Sequence, residues 1–143
     1  MIKWQEDYST GIDIIDFDHK NLFNIFKLLG DAIDEEQGDE IIEQTIGHLI
    51  SYAERHFKRE EGMFFNADYE NADAHCEKHR ELEKVVHDIA HRFKNDRSSV
   101  NPPEILKFVE NWLVQHILVA DMGYVQCVQQ HNETPKEQIE TDS

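Results

Sequence analysis

Residues 75–93 read HCEKHRELEKVVHDIAHRF, and His75, His79, Leu82, Val86, Ile89 and Phe93 recur along them at steps of 4, 3, 4, 3 and 4. That is the period of one helix face turned toward a core. The face opens on two histidines. A buried imidazole left without a partner costs on the order of 1–3 kcal/mol, so one inward histidine calls for a hydrogen bond. Two at i, i+4 on one face suggest a metal ion.

Upstream, Ile42, Thr45, Leu49, Tyr52, His56, Glu60 and Met63 step by 3, 4, 3, 4, 4 and 3. They predict a helix from near Asp39 to near Phe65 with His56 and Glu60 facing inward. An earlier helix, capped by Asp16 or Asp18, carries His19, Leu22, Phe23, Phe26, Leu29 and Ile33, and Gly38 is expected to close it. Residues 1–15 hold Trp4, Tyr8, Gly11, Ile12, Ile14 and Ile15 without helical period, and read as an extended arm anchored by Trp4.

Downstream of Phe93 or Lys94, residues 95–101 form a loop whose Asn101 caps a fourth helix, expected from Glu104 to about Gln130. Pro102 and Pro103 fall in its first turn, where a missing N–H is tolerated. Along that helix Ile105, Val109, Trp112 and His116 keep one phase, and Asp121, Tyr124 and Val128 resume it after a gap of five. Residues i and i+5 of an α-helix lie about 140° apart. The slip therefore predicts a π-type bulge between His116 and Asp121. Four helices, short loops and no strand-like alternation predict an all-α, antiparallel up-down-up-down four-helix bundle with an extended N-terminal arm. The bundle is expected over residues 1–131, with 132–143 a polar tail.

Composition narrows the partners. A formal net charge of -16 repels nucleic acid and anionic lipid surfaces. No apolar run reaches membrane length, and Met1 to Thr10 lack the basic and apolar stretches of a signal peptide, so a cytoplasmic protein is expected. Cys76 and Cys127 read as reduced thiols rather than a bridge. A monomer is the expected state, with an oligomer left open. Nine histidines in 143 residues are the compositional anomaly.

The inward-facing polar residues are His19, His56, Glu60, His75, His79, His116 and Asp121, so every helix contributes. Five imidazoles and two carboxylates exceed the needs of one zinc-like ion, which takes four ligands, and suit two metals sharing bridging carboxylates. Iron, copper, zinc, nickel and manganese all remain open on spacing alone. The bland alternative is a histidine-rich bundle that binds no metal, but seven unpaired polar groups are too costly to bury. His48, His87, His91 and His131 fall outside the pattern and read as surface or hydrogen-bonded side chains.

In chain order the pattern is H, H-x-x-x-E, H-x-x-x-H and H-x-x-x-x-D. With Trp4, the run from Gly11 to His19, His56-Phe57 to Glu60-Glu61, Trp112-Leu113 to His116-Ile117, and Tyr124, it resembles the hemerythrin family over about residues 2–130. The resemblance implies a non-haem di-iron centre that binds O2 reversibly, for storage or delivery. It implies that His75, His79 and His116 hold one six-coordinate iron and that His19 and His56 hold the other. Glu60 and Asp121 would bridge the two together with a solvent-derived oxo or hydroxo oxygen. The resemblance further implies that the second iron would keep an open position for O2, in a pocket lined by Leu113 and Trp112. Two departures stand out: Asp18 where many relatives have Gln, and Glu70 where Pro is common.

Other uses of such a centre are an O2 or redox sensor and a nitric-oxide or peroxide reductase or iron-repair protein. Sensors of this family are usually fused to signalling domains, and the chain's length favours carriage. A ferritin-like oxidase needs E-x-x-H pairs, and no histidine here has Glu three positions before it. Five imidazoles favour reversible binding over oxygen activation, so a binding protein rather than an enzyme is expected.

Overall fold

The structure, a computed structural model, describes residues 3–116 and 121–133. Among the described residues there are five α-helices: α1 (Asp13–Asp34), α2 (Asp39–Asn66), α3 (Ala72–Asn95), α4 (Pro102–Gln115) and α5 (Met122–Glu133), with 3-10 turns at Glu6–Tyr8 and Arg97–Ser99. No strand occurs among the described residues. The helix expected as one piece to Gln130 is described in two α-helical stretches, α4 and α5, on either side of residues 117–120. His116 and Asp121 flank the junction in π-helical conformation. The expected bulge itself falls on residues 117–120, outside the described residues, as does the tail from 134 onward. No helix among the described residues is long and apolar enough to cross a membrane.

Two helix ends differ from expectation. α1 starts at Asp13 behind Ile12, and neither Asp16 nor Asp18 caps it. Asp16 instead accepts hydrogen bonds from Ser9 Oγ (2.5 Å), the Thr10 N–H (2.7 Å) and Thr10 Oγ1 (2.8 Å), pinning the arm to the helix. Asp18 is buried and turned to α2. Gly38 does not close α1 either: Glu36 takes the left-handed turn (φ 51), and Gly38 (φ 100) precedes α2. The Gln37 N–H donates to Ala32 O and the Glu36 N–H to Ile33 O, a Schellman closure. α2 ends likewise, with Asp68 at φ 54 and the Tyr69 N–H donating to Phe64 O. The Asn101 cap forms as expected, its Oδ1 accepting from the Glu104 N–H.

α1 packs along α2 and α4, and α2 along α3. The buried apolar side chains form two clusters. The larger holds Leu22, Phe26, Leu29, Leu49, Phe57, Phe93, Val109 and Leu113. The smaller holds Ile12, Ile15, Phe64, Ala72, Tyr124 and Val128. Trp4 and Tyr8 lie on the larger cluster, Tyr8 stacking on Phe23 at 5.6 Å, so the arm is anchored as expected. α3 departs from a fully buried stripe: Phe93 is buried, but Leu82, Val86 and Ile89 are only half-buried. Between α3 and α4 lies a cleft of about 430 Å³, where Leu82 and Val85 face Phe108 and Trp112.

Candidate metal centre

All seven sequence-predicted polar residues are buried, and all seven converge between the two apolar clusters. Phe57 of the larger cluster stacks on His79 at 3.9 Å, and Phe64 of the smaller lies 5.0 Å from His75. The helical period does this work: His19 on α1, His56 and Glu60 on α2, and His75 and His79 on α3 occupy the stripes that also carry the core.

Their donor atoms fall into two groups, Glu60, His75, His79 and His116 in one, and His19, His56, Glu60 and Asp121 in the other, each mutually within 4.8 Å. Glu60 belongs to both. Its Oε1 lies 3.0 Å from His56 Nε2, 3.1 Å from His116 Nε2 and 3.5 Å from His79 Nε2. Asp121 spans the groups with its two oxygens. Oδ2 is 2.7 Å from His19 Nε2, while Oδ1 is 3.0 Å from His116 Nε2 and 3.4 Å from His75 Nε2. The Tyr124 hydroxyl donates to the other oxygen of Glu60 at 2.8 Å.

Hydrogen bonds do not exhaust this set. Nε2 of His56, His75 and His79 and Oδ1 of Asp121 are buried, close to one another, and without a hydrogen bond of acceptable geometry. Buried polar atoms are otherwise almost always satisfied. Lone pairs aimed at a common point, from imidazole and carboxylate, are the donor set of a divalent transition metal. The residues therefore fit a metal centre.

Electrostatics point the same way. Burial works against ionising Glu60 and Asp121, which also repel one another, but the surrounding imidazoles outweigh both effects and hold each carboxyl below the usual carboxylate range. Burial likewise disfavours a charged His116, yet the Asp121 and Glu60 carboxylates push it up to about 9. Two anions fixed in an apolar core call for cations, which protons on histidine supply in the metal-free chain and which metal ions can replace.

Four contacts escaped the periodic reading. His56 Nδ1 donates to Asp18 Oδ2 (3.0 Å), His79 Nδ1 donates to Glu61 Oε2 (2.8 Å), and Asp18 is further held by Tyr52 and Arg59. Glu61 reads as lying off the core stripe, and its reach to α3 has no periodic signal. Of the two expected pocket residues, Leu113 is fully buried and Trp112 stacks on His116 at 4.9 Å. Trp112, His79 and His116 also line the α3–α4 cleft. His48, His87, His91 and His131 are exposed, with His87 paired to Glu54.

The chain matches the model of the hemerythrin HHE cation binding domain over residues 10–128. It is 34% identical over 127 residues to a bacteriohemerythrin of Pseudomonas paraeruginosa, covering 87% of this chain and 80% of that one. Against a bacteriohemerythrin of Clostridium acetobutylicum it is 30% identical over 129 residues, covering 87% and 99%. A myohemerythrin of Theromyzon tessulatum is 29% identical over 122 residues, covering 85% and 89%. The crystal structure of a wild-type hemerythrin superposes with a TM-score of 0.82 at 29% identity, covering 90% of this chain and 98% of that one. By the family model and by these relatives, the chain belongs to the hemerythrin family.

Proposed function

We propose that this protein binds O2 reversibly at a pair of iron ions, as a carrier or store. The observation that carries the reading is the sharing of Glu60 and Asp121 between two groups of imidazoles, three on one side and two on the other. When bound, a pair of iron(II) ions would supply the reversible electron transfer that O2 binding needs. His75, His79 and His116 would hold one ion and His19 and His56 the other, with Glu60 and Asp121 shared between the two groups. The side with one imidazole fewer would leave room for O2.

The chain's own residues set the conditions. Neutral imidazoles add no charge, and the two carboxylates offset part of the charge of two divalent ions in the apolar core. Leu113, fully buried one turn before His116, gives the site an apolar wall that admits O2 and excludes water. Trp112, laid on His116, shields the cleft side. The Tyr124 hydroxyl keeps Glu60 oriented by donating to the oxygen turned away from the imidazoles. An imidazole-rich donor set favours binding over oxygen activation, so the protein is read as a binding protein and not an enzyme. Its net charge of -16 disfavours nucleic acid and anionic membranes as partners.

The test is the visible spectrum of the anaerobically reduced, iron-loaded protein, before air, after air and after an argon purge, with iron counted per chain. Two irons and a band that appears in air and fades under argon are expected. Irreversible oxidation with no reversible band overturns the carrier reading, and the absence of bound iron overturns the site.

A further inference from the structure

His56 and His79 are held from behind in the same way. Each points Nε2 into the donor set and offers Nδ1 to a carboxylate on the outer side of the ring: Asp18 for His56 at 3.0 Å, Glu61 for His79 at 2.8 Å. An ionised carboxylate only accepts, so each ring carries a proton on Nδ1 and leaves Nε2 as the atom that can bind a metal. Each carboxylate is in turn held by an arginine nearer the surface. Asp18 accepts from Arg59 at 3.2 Å and from the Tyr52 hydroxyl at 3.1 Å, and Glu61 pairs with Arg80.

The two strings serve different donor groups. His56 belongs with His19, Glu60 and Asp121, and His79 belongs with Glu60, His75 and His116. Within its group His56 is braced where His19 is not, for His19 Nδ1 is buried without a partner among the described residues. The braces also differ in setting. Asp18 is buried, with a side-chain exposure of 3%, whereas Glu61 is at 15%.

We propose that Asp18 and Glu61 are positioning residues, each fixing the tautomer and orientation of one imidazole and thereby governing the metal affinity of one donor group and not the other. The inference rests on the reading of these imidazoles as metal ligands and adds to it a separate support for each half of the centre. A carboxylate behind a ligating imidazole strengthens it as a donor, and losing such a partner lowers metal affinity by about 10–100-fold. General destabilisation of the bundle has no reason to choose between the halves. A brace does.

The experiment is an anaerobic titration of the full-length metal-free chain with Co(II), in competition with a chromophoric chelator and followed by the Co(II) visible bands. The two halves offer three and two imidazoles, so their bands are expected to differ. Asp18→Ala is expected to weaken one ion by about 10–100-fold and leave the other within about twofold, and Glu61→Ala to do the reverse. Asp18→Asn and Glu61→Gln keep the acceptor and lose the charge, so each is expected to give a smaller loss confined to the same ion. These amide variants decide the matter where an alanine variant fails to fold. Equal weakening of both ions, or of neither, overturns the proposal. A wild-type chain that takes up no Co(II) overturns the ligand reading itself, which keeps the two failures distinct.

Discussion

His116 Nε2 stands 3.0 Å from Asp121 Oδ1, although the two residues are five apart in the chain. A regular α-helix sets such residues about 140° apart, so the π-helical conformation at both positions is what lets them meet. Asp121 thereby offers its other oxygen to His19 at 2.7 Å. Asp121→Asn exchanges one of these oxygens for an amide N–H that cannot ligate. Metal affinity is expected to fall by more than the roughly 10–100-fold typical of losing a supporting partner, and from both halves together. Iron counted per chain after gel filtration checks this.

Tyr124 is fully buried and its hydroxyl has one task, donation to Glu60 Oε2. Burial first, and then the Glu60 and Asp121 charges, push its phenol well above the ordinary range, so it stays a donor. Tyr124→Phe leaves that carboxylate oxygen short of a partner. A loss of about 1–3 kcal/mol is expected in urea unfolding of the metal-free protein, with the slope unchanged.

Metal removal has its own signature. Ions that bind the folded chain and not the unfolded one add about 2.7 kcal/mol per site at a hundredfold excess over Kd. Chelator-treated protein is expected to melt several degrees lower, and iron(II) added back without oxygen is expected to restore the original Tm. An unchanged Tm on both treatments argues against a site within the core.

Asp16 supplies a pH dependence remote from the centre. Burial raises its pKa, but the hydrogen bonds from Ser9 and Thr10 outweigh burial and leave it below 3.8. The folded chain thus binds this proton more weakly than the unfolded one. The contribution is present above pH 3.8 and is lost as pH falls through the depressed value. Wild type is expected to resist urea better than Asp16→Asn at pH 6, with the gap closing below pH 3.8.

Trp112 lines the α3–α4 cleft beside His116, stacking on that ring and meeting Phe57 edge-on at 5.7 Å. Trp112→Ala is expected to destabilise the fold by less than the ~3–5 kcal/mol of a fully buried tryptophan. It is also expected to speed air oxidation of the iron-loaded protein several-fold by admitting water. The decay of the oxygen-dependent band in air gives the rate.

The sequence carried the donor set because polar and apolar residues share one period: His56 and Glu60 stand on the same stripe as Ile42 and Leu49. The phase slip after His116 was legible for the same reason. Contacts made across helices were not. Asp18 and Asp16 look alike as helix caps, and only the positions of His56 and of the arm assign their roles. Glu61 lies off its stripe and still reaches His79. Gly38 suits a left-handed helix end, yet Glu36 takes that turn because α1 stops earlier. Nothing within α3 tells that α4 stands off from Leu82 and Val86.

The centre is also a statement about the order of synthesis. One donor group needs Asp121 and the other His116, and the Gln129 side chain donates to Thr10 O at 3.0 Å, tying the arm to the last helix. A ribosome adding about 5–20 residues per second needs roughly 3–12 s to travel from Glu60 to Asp121. Over that interval the nascent chain exposes His19, His56 and Glu60 without the residues that complete either group. Neither half of the centre can be completed until synthesis has passed His116, and the half that needs Asp121 must wait five residues longer.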